Sequence, residues 1–445
     1  MLRYPKIFAA LTLITIIGVL LYQTFLPTIV YGAGGDIVFN DTFTGTDDTL
    51  LDAHTPDTGT SWTKVYNVGG SSCSNIATLG ITSNELQNIC ADATTAGAAY
   101  LSDATYPSAD YQVSYTCADC GANDEHITGI IRSTAAFDEA DGAYVFYNAS
   151  AVTTDNPVLA MVASGSTCTA LKTVDVGLTA LGFAFGPDGT TFVMQAAANE
   201  ISVFRNNVAY HVVTNATNTA AGKGGIGMGG SPCNPSGDLV DGETQADAFS
   251  ITQIATASTT YNAPSTTGEI TNDWTNPTNA YSDDASYAEE DDVGEDQDYG
   301  DFGFSIPAGS TIRGIQVKAE AKGGTLGSTV DMGVEVSNDN GATWSSQLTG
   351  RWDPENTLLF GHANYLWGLT WTVTDTADTD FRIRLAHTAS ESLSAGRDLE
   401  VDYVAVKIFY DEGAGGGGGA AAGTPAKVNI IQAQMILRNG ELKIL

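Results

Sequence analysis

Three kinds of side chain in this chain have the type and spacing to do chemistry: carboxylates, tryptophans and cysteines. The carboxylates are densest between Asp283 and Asp301, in the run DDASYAEEDDVGEDQDYGD. Clustered carboxylate oxygens are what calcium prefers, but this run lacks the D-x-D-x-D-G-x5-E register of a calcium loop. A solvated, self-repelling loop is the competing reading. Two smaller acidic groups, Asp138-Glu139-Ala140-Asp141 and Glu400-Val401-Asp402, have the residue type for acid–base work on a glycosidic bond. The first sits in a turn-like stretch and the second has no third carboxylate in register. The five histidines are scattered and no G-x-S-x-G occurs, so a Ser-His-Asp hydrolase lacks its nucleophile elbow. Gly224 to Gly230 is glycine-rich without P-loop spacing, and reads as a crowded strand or bend. No catalytic residue is assigned.

The tryptophans point to binding. Five of the six, Trp274, Trp344, Trp352, Trp367 and Trp371, fall in the C-terminal half, and Trp62 in the N-terminal half. Most are expected in the core. Sugars stack their C–H faces on exposed rings, and Trp352, between Arg351 and Asp353 in a loop-like stretch, is the expected exposed platform. Arg351, Trp352 and Asp353 are therefore the candidate ligand-binding residues. Trp367, Leu369 and Trp371 alternate as if on one strand face. The octet Ser337 to Trp344, SNDNGATW, matches the Asp-box S-x-D-x-G-x-T-W found in sialidase propellers and elsewhere. Propellers repeat the box, and here it occurs once, so it is read as a structural turn held by Asp339 and Gly341.

The six cysteines, Cys73, Cys90, Cys117, Cys120, Cys168 and Cys233, all lie in the N-terminal half. An even number in an exported chain favours disulfides over metal ligation. Cys73 and Cys90 bracket a hairpin-like stretch and are expected to pair. Cys117-Ala-Asp-Cys120 is a tight loop disulfide or two separate half-cystines, which leaves Cys168 with Cys233 by elimination. Export itself is read from residues 1–32: Arg3 and Lys6 precede the uncharged run Ile7 to Leu21, followed by Pro27 and small residues before Ala33. The alternative is an uncleaved anchor, because Ile7 to Tyr31 could span a bilayer of about 30 Å. Either way the remainder is expected outside the cell, secreted or surface-attached.

The elements that must position these residues are strands. Period-two stretches recur, among them Ile37-Val38-Phe39, Tyr111 to Tyr115, Ala143 to Tyr147 and Ile201 to Phe204. Further on come Phe302 to Ile306, Thr311 to Val317, Val330 to Val336, Phe381 to Leu385 and Leu399 to Tyr410. Gly, Asn, Asp and Pro punctuate them, so the fold class is all-β, two β-sandwich (jelly-roll) domains. The organisation is a signal segment at 1–32, a sandwich at 36–254 and a Ser/Thr/Pro-rich linker at 255–268. A second sandwich at 269–412 and a Gly/Ala-rich tether at 413–426 follow, then a C-terminal hairpin at 427–445 around Asn439-Gly440.

The opening DTFTGTDDTLLDAHTPDTGTSWTKV and the block FGPDGTTFVMQAAANEISVFRNNVAYHVV, with GKGGIGM and DAFSI after it, resemble the concanavalin A-like (laminin-G-like) jelly roll. That family covers lectins, glycan-binding modules and some glycosidases. The resemblance implies a final strand lying beside the first, and a structural calcium near both, for which Asp36, Asp41 and Asp247 are the nearest carboxylates. The family's glycosidases carry E-x-D-x-x-E on one strand face, and 36–254 has no such run. In the second half SIPAGSTIRGIQV, LWGLTWT and EVDYVAVKIFY resemble a β-sandwich module of phage-like and bacterial surface proteins.

Charge narrows the partners. The chain carries 18 Lys+Arg against 52 Asp+Glu, a net −34. The excess is even: 24 acids and 5 bases over 33–258, 27 and 8 over 259–412. Such a surface repels phosphate backbones, so nucleic acid is excluded as a partner. The expected function is carbohydrate binding or adhesion to an extracellular polysaccharide or cell-surface glycan, without catalysis and without a cofactor other than calcium. The alternatives are a structural surface or fibre protein that self-associates through 427–445, and a glycoside hydrolase or polysaccharide lyase.

Overall fold

The computed structural model describes residues 35–68, 79–88, 97–104, 106, 108–120, 127–133, 143–148, 157–164, 167–173, 189–229, 244–324, 329–352, 355–391, 399–413, 435–438 and 441–444. The segment 1–32, most of the tether at 413–426 and the acidic group at 138–141 lie outside them. Among the described residues the regular elements are strands and three short 3-10 turns. No helix there is long and apolar enough to cross a membrane.

Alternation builds the first sandwich. Tyr111, Val113 and Tyr115 point inward from one sheet to meet Tyr144, Phe146 and Ile226 from the other. The second of these sheets has seven antiparallel strands, running from Thr167–Thr173 at one edge through Tyr144–Asn148, Ile127–Ser133 and Lys223–Gly229 to Trp62–Val68 at the other. The first strand Ile37–Asp41 pairs with Thr244–Gln253, Asp41 opposite Phe249, so the chain's first and last strands of this sandwich are neighbours. The glycine-rich stretch is a strand whose glycines are required by crowding: a Cβ on Gly225 would lie 2.2 Å from the Tyr100 carbonyl oxygen. Residues of opposite parity in the seven-stranded sheet, including Ala99, Leu101, Ile130, Val145 and Ala160, form a separate buried apolar cluster on its other face.

The second sandwich packs a five-stranded sheet, in the order Thr266–Asn272, Asp296–Gly300, Arg382–Glu391, Thr329–Ser337, Leu348–Trp352, against the long strands Thr311–Gly323 and Leu399–Asp411. Val404, Val406, Ile408 and Tyr410 share the core face, as alternation predicts. Leu399 and Val401, of the other parity, are also in the core. The pairing shifts there, with Glu320 opposite Tyr403 but Ala321 opposite Val401, so Asp402 is the extra residue that resets the phase.

Three expectations change. Phe302 to Ile306 is not a strand: Asp301 and Gly303 take φ of 53° and 64°, and the segment is held instead by the Phe302, Phe304 and Phe381 rings. Trp367 to Trp371 is not a strand either. Trp367 has φ 59°, and the two indoles anchor a loop by donating to the carbonyls of Ile315 and Leu366. The stretch 255–268, expected as a free linker, is laid along the second sandwich. Ala257–Ser258 pairs with Phe409 and Tyr410, Asn262 bridges Val406, and the Tyr261 hydroxyl donates to Gln316.

The two sandwiches touch directly. Strand Val208–Thr214 of the first meets Asn356–Phe360 of the second at Val208 and Phe360, which joins strands of both into one long sheet. The Ala363 N–H donates to Gln195 Oε1 at 2.9 Å, the Gly361 N–H to the Asn207 carbonyl at 2.7 Å, and Asn364 Nδ2 to the Gln253 carbonyl at 2.8 Å. Val193, Phe204, Ala209 and Leu359 form a small apolar core between them. At the C-terminus Met435–Arg438 pairs with Glu441–Ile444 as a two-stranded sheet, with Arg438 opposite Glu441.

Candidate functional site

Trp352 is not a platform. It lies inward on the strand Leu348–Trp352, 1% exposed, with Nε1 donating to the Asn356 carbonyl at 2.9 Å and Phe360 beside it. Its neighbour Arg351 faces outward by alternation, held by Asp331 through Nε–Oδ1 at 2.5 Å and Nη2–Oδ2 at 2.7 Å. Asp353 lies outside the described residues. Of the two candidates that lie among the described residues, Arg351 reaches a solvent-facing surface and Trp352 does not.

That surface is the outward face of the five-stranded sheet. Val330, Met332, Val334 and Val336 point to the core, so Asp331, Gly333 and Glu335 point out. Register sets Arg351 opposite Asp331, Thr349 opposite Gly333, and Arg384 opposite Glu335. Arg384 donates to Glu335 Oε2 from Nε at 2.8 Å and Nη2 at 2.6 Å, and its Nη1 lies 3.3 Å from Asp296. Burial raises the Asp296 carboxyl above its ordinary value, and the Arg384 charge pulls the other way. Gly333 leaves a gap in the middle of the face, and Gln347 fills it: a Cβ there would lie 2.2 Å from Gln347 Cδ.

Trp344 closes one end. Five of the six tryptophans are buried, and Trp344 is the half-buried one. Its ring lies 4.6 Å from the Arg384 guanidinium carbon, a cation–π contact. The Asp-box presents it there. Asp339 accepts from the Thr343 N–H at 2.8 Å, the Thr343 hydroxyl at 2.7 Å and the Ser337 hydroxyl at 2.8 Å, while Gly341 takes φ 77°. The Thr343 backbone bond above all holds the Asp339 carboxyl below its usual value. The sequence marked this turn as structural; what it missed is that the turn delivers an indole to a sheet face. The signal was available, because the Asp-box ends on Trp344 and Glu335 and Arg384 hold outward parity on their strands.

At the other end the strand Leu348–Trp352 is a sheet edge, and beyond it a cleft of about 280 Å³ separates it from the first sandwich. Arg205, Asn206, Val208 and Ala209 form the wall from the first sandwich. Gln347, Leu348, Thr349 and Arg351 belong to the facing wall. Asn206 is held by its turn, its Oδ1 accepting from the Thr191 N–H at 3.0 Å.

The calcium candidates do not assemble. Asp41 is fully buried, its oxygens accepting from the Phe43 N–H at 2.8 Å and Trp62 Nε1 at 2.7 Å, with His54 Nε2 at 2.9 Å. It is a core carboxylate saturated by nitrogen donors. Asp36 and Asp247 are exposed. The acidic run is only in part a solvated loop: Asp283 to Ser286 and Asp291 to Glu295 are exposed, but Ala288–Glu290 and Asp296–Gly300 are strands, and Glu290 and Asp298 are buried. Two carboxylate triplets have oxygens within 4.8 Å of one another, Asp283 with Glu320 and Asp402, and Glu290 with Asp291 and Asp292. Glu400, which with Asp402 has the residue type for acid–base work, pairs with Lys322 at 3.1 Å. Of the cysteines, Cys117 and Cys168 are disulfide-bonded. Cys73, Cys90 and Cys233 lie outside the described residues, as does the side chain of Cys120.

No family model and no curated protein matches this chain. Among solved structures, the carbohydrate-binding module CBM66 from Bacillus subtilis is similar at 11% identity, over 43% of this chain and 95% of that one, with a TM-score of 0.28. The β-glucanase of Bacillus licheniformis is similar at 13% identity, over 50% and 99%, with a TM-score of 0.31. The CBM2 module of the evolved Dit of Lactobacillus casei BL23 phage J-1 is similar at 9% identity, over 49% and 95%, with a TM-score of 0.31. The two-sheet arrangement rests on its own strand register, and no function follows from likeness at this level.

Proposed function

We propose that this protein is a secreted or cell-surface glycan-binding and adhesion protein, and that the outward face of the five-stranded sheet is its binding surface. One observation carries the reading: a row of planar hydrogen-bonding groups, Arg351–Asp331, Gln347 and Arg384–Glu335, ends on the half-buried Trp344. Sugar recognition uses such groups for hydroxyls and a ring for the C–H face. The ion pairs hold the donors in fixed geometry before a ligand arrives, which lowers the ordering cost of binding. The export-like segment 1–32 and the disulfide-bonded Cys117 and Cys168 support an extracellular setting. The protein acts by binding, without catalysis or cofactor. Retention of binding after dialysis against EDTA is expected, and loss of it would assign calcium a role.

The test is a glycan array probed with the wild type, heat-unfolded protein and Trp344→Ala. Binding that is lost on unfolding and weakened about tenfold or more by the substitution is expected. Wild-type protein silent on every glycan would end the reading, and hydrolysis of β-glucans or uronate polymers by purified protein would replace it with an enzyme.

A second reading has its own support. Within the 427–445 segment, Met435–Arg438 pairs with Glu441–Ile444, Met435 opposite Ile444 and Leu437 opposite Leu442. A lone two-stranded sheet is marginal in water, which favours assembly through it. Sedimentation of the full chain and of a chain ending at 426 distinguishes the two: equal sedimentation removes the assembly reading.

A further inference from the structure

We infer that the cleft between the sandwiches is a composite subsite for a neutral, hydroxyl-rich glycan chain, made jointly by both modules. This rests on the glycan-binding reading and names its ligand class. Each wall comes from a different sandwich: Arg205 and Asn206 from the hairpin of the first, Gln347, Thr349 and Arg351 from the edge strand of the second. The lining offers guanidinium, amide and hydroxyl groups above the apolar Leu348 and Val208, and among the described residues no carboxylate contributes to it. Arg351, a cleft residue, is also the last member of the outward row. Gly333 and Glu335, two residues apart on one face, bring Gln347 and Arg384 within about 7 Å of one another along the strand. The cleft and the row toward Trp344 thus form one track, longer than a single sugar.

Charge selects the ligand. At a net −34 the protein's field opposes any polyanion, and of the cleft's two guanidinium groups, Arg205 and Arg351, the second is neutralised by Asp331. A neutral chain takes the hydrogen bonds without paying that repulsion. The volume of about 280 Å³ lies near the low end of ordinary ligand pockets, which suits one or two sugar units inserted while the rest follows the track. The edge strand could also accept an extended peptide by strand addition. The glycan is favoured because the track continues past the edge over side chains, where a β-strand would find no ladder.

The experiment uses the full chain and isothermal titration with four probes: cellohexaose, mannohexaose, hexagalacturonate and a capped (Thr-Val)5 peptide. Wild type is compared with Arg205→Ala on the first wall, Thr349→Trp to fill the cleft, and Trp344→Ala on the row outside it. A neutral hexasaccharide should bind, and Arg205→Ala and Thr349→Trp should each weaken it about tenfold while the thermal midpoint holds. Thr349 is exposed, so its variant keeps the test valid where Arg205→Ala unfolds. If Trp344→Ala abolishes binding while both cleft variants bind like wild type, the composite subsite falls and glycan binding on the row survives. Tighter binding of hexagalacturonate or of the peptide overturns the neutral-glycan assignment. Binding to none of the four overturns both the inference and, for these glycans, the reading beneath it.

Discussion

The two sandwiches use the same alternation to opposite ends. In the first, the residues of the seven-stranded sheet that face away from the main core are small and apolar, Ala99, Leu101, Val145 and Ala160, and all are buried. In the second, the face away from the core carries Asp331, Glu335, Arg351 and Arg384, joined in pairs and partly exposed. A sheet buried on both faces is a structural slab; a sheet with one polar face is a surface that can be read by a ligand. The difference teaches where the proposed glycan surface has its chemistry: on the polar face of the second sandwich, with the first as the wall of the proposed cleft.

The sharpest way to break that comparison is to exchange the roles of two tryptophans in the second sandwich. Trp352→Ala removes a core indole and should cost about 3–5 kcal/mol, read as a lowered midpoint in chemical denaturation. Trp344→Ala removes a half-buried ring and should cost far less stability while losing glycan binding. Equal destabilisation by the two would show that Trp344 is a core residue, and the outward face would lose its ring.

The next largest effect tests whether the sandwiches stand as one body. His362 is buried at their junction between the Phe204 and Tyr365 rings, 5.5 and 5.6 Å away, and burial pushes its pKa down to about 3. The unfolded chain takes up this proton near pH 6.5 and the native state resists it to about 3, so stability falls as pH drops through that window and is flat above it. The loss approaches about 1.4 kcal/mol per pH unit at most. Comparing thermal midpoints at pH 7 and pH 5, wild type should drop further than His362→Gln. Parallel curves would place the histidine in water and the junction open.

Smaller again is the contact beside it. Gln195→Ala leaves the buried Ala363 N–H without its acceptor and should cost about 1–3 kcal/mol. Two separated calorimetric transitions in the variant, against one in the wild type, would mean that this bond couples the modules. No change in either would mean that the sandwiches meet without coupling.

How far the sequence reached follows from what alternation can and cannot see. Parity puts Val404, Val406, Ile408 and Tyr410 on one face, which is the core face, and the same rule, not applied to Glu335 and Arg384, sets them opposite their apolar neighbours, because each depends only on neighbours along one strand. It failed where the backbone leaves the extended region. Positive φ at Asp301, Gly303 and Trp367 breaks two apparent strands, and period-two spacing carries no trace of it. It failed at Trp352, where flanking charges suggested a loop but inward parity buried the ring. It failed at Asp41, whose partners Trp62 and His54 are distant in sequence, so a saturated core carboxylate read as a free ligand. The stretch 255–268 has linker composition, yet Tyr261 and Asn262 find partners 55 and 144 residues away, which composition does not encode.

The smallest effect concerns the turn that presents the ring. Asp339 holds Thr343 and Ser337 through both oxygens, so Asp339→Ala frees the loop that ends on Trp344. The carboxylate is nearly exposed, which limits the stability cost to about 1 kcal/mol. Its pKa is lowered in the folded state, so its contribution is present above the ordinary aspartate range and fades as pH falls below it. The informative readout is therefore affinity. If the Asp-box only closes a turn, glycan binding is unchanged in Asp339→Ala at neutral pH; if it positions the indole over Arg384, affinity falls toward that of Trp344→Ala while the fold melts almost as before. Asp339→Asn, which keeps an acceptor for the Thr343 N–H, should recover most of the affinity, and a recovery seen with Asn but not with Ala would separate positioning from charge.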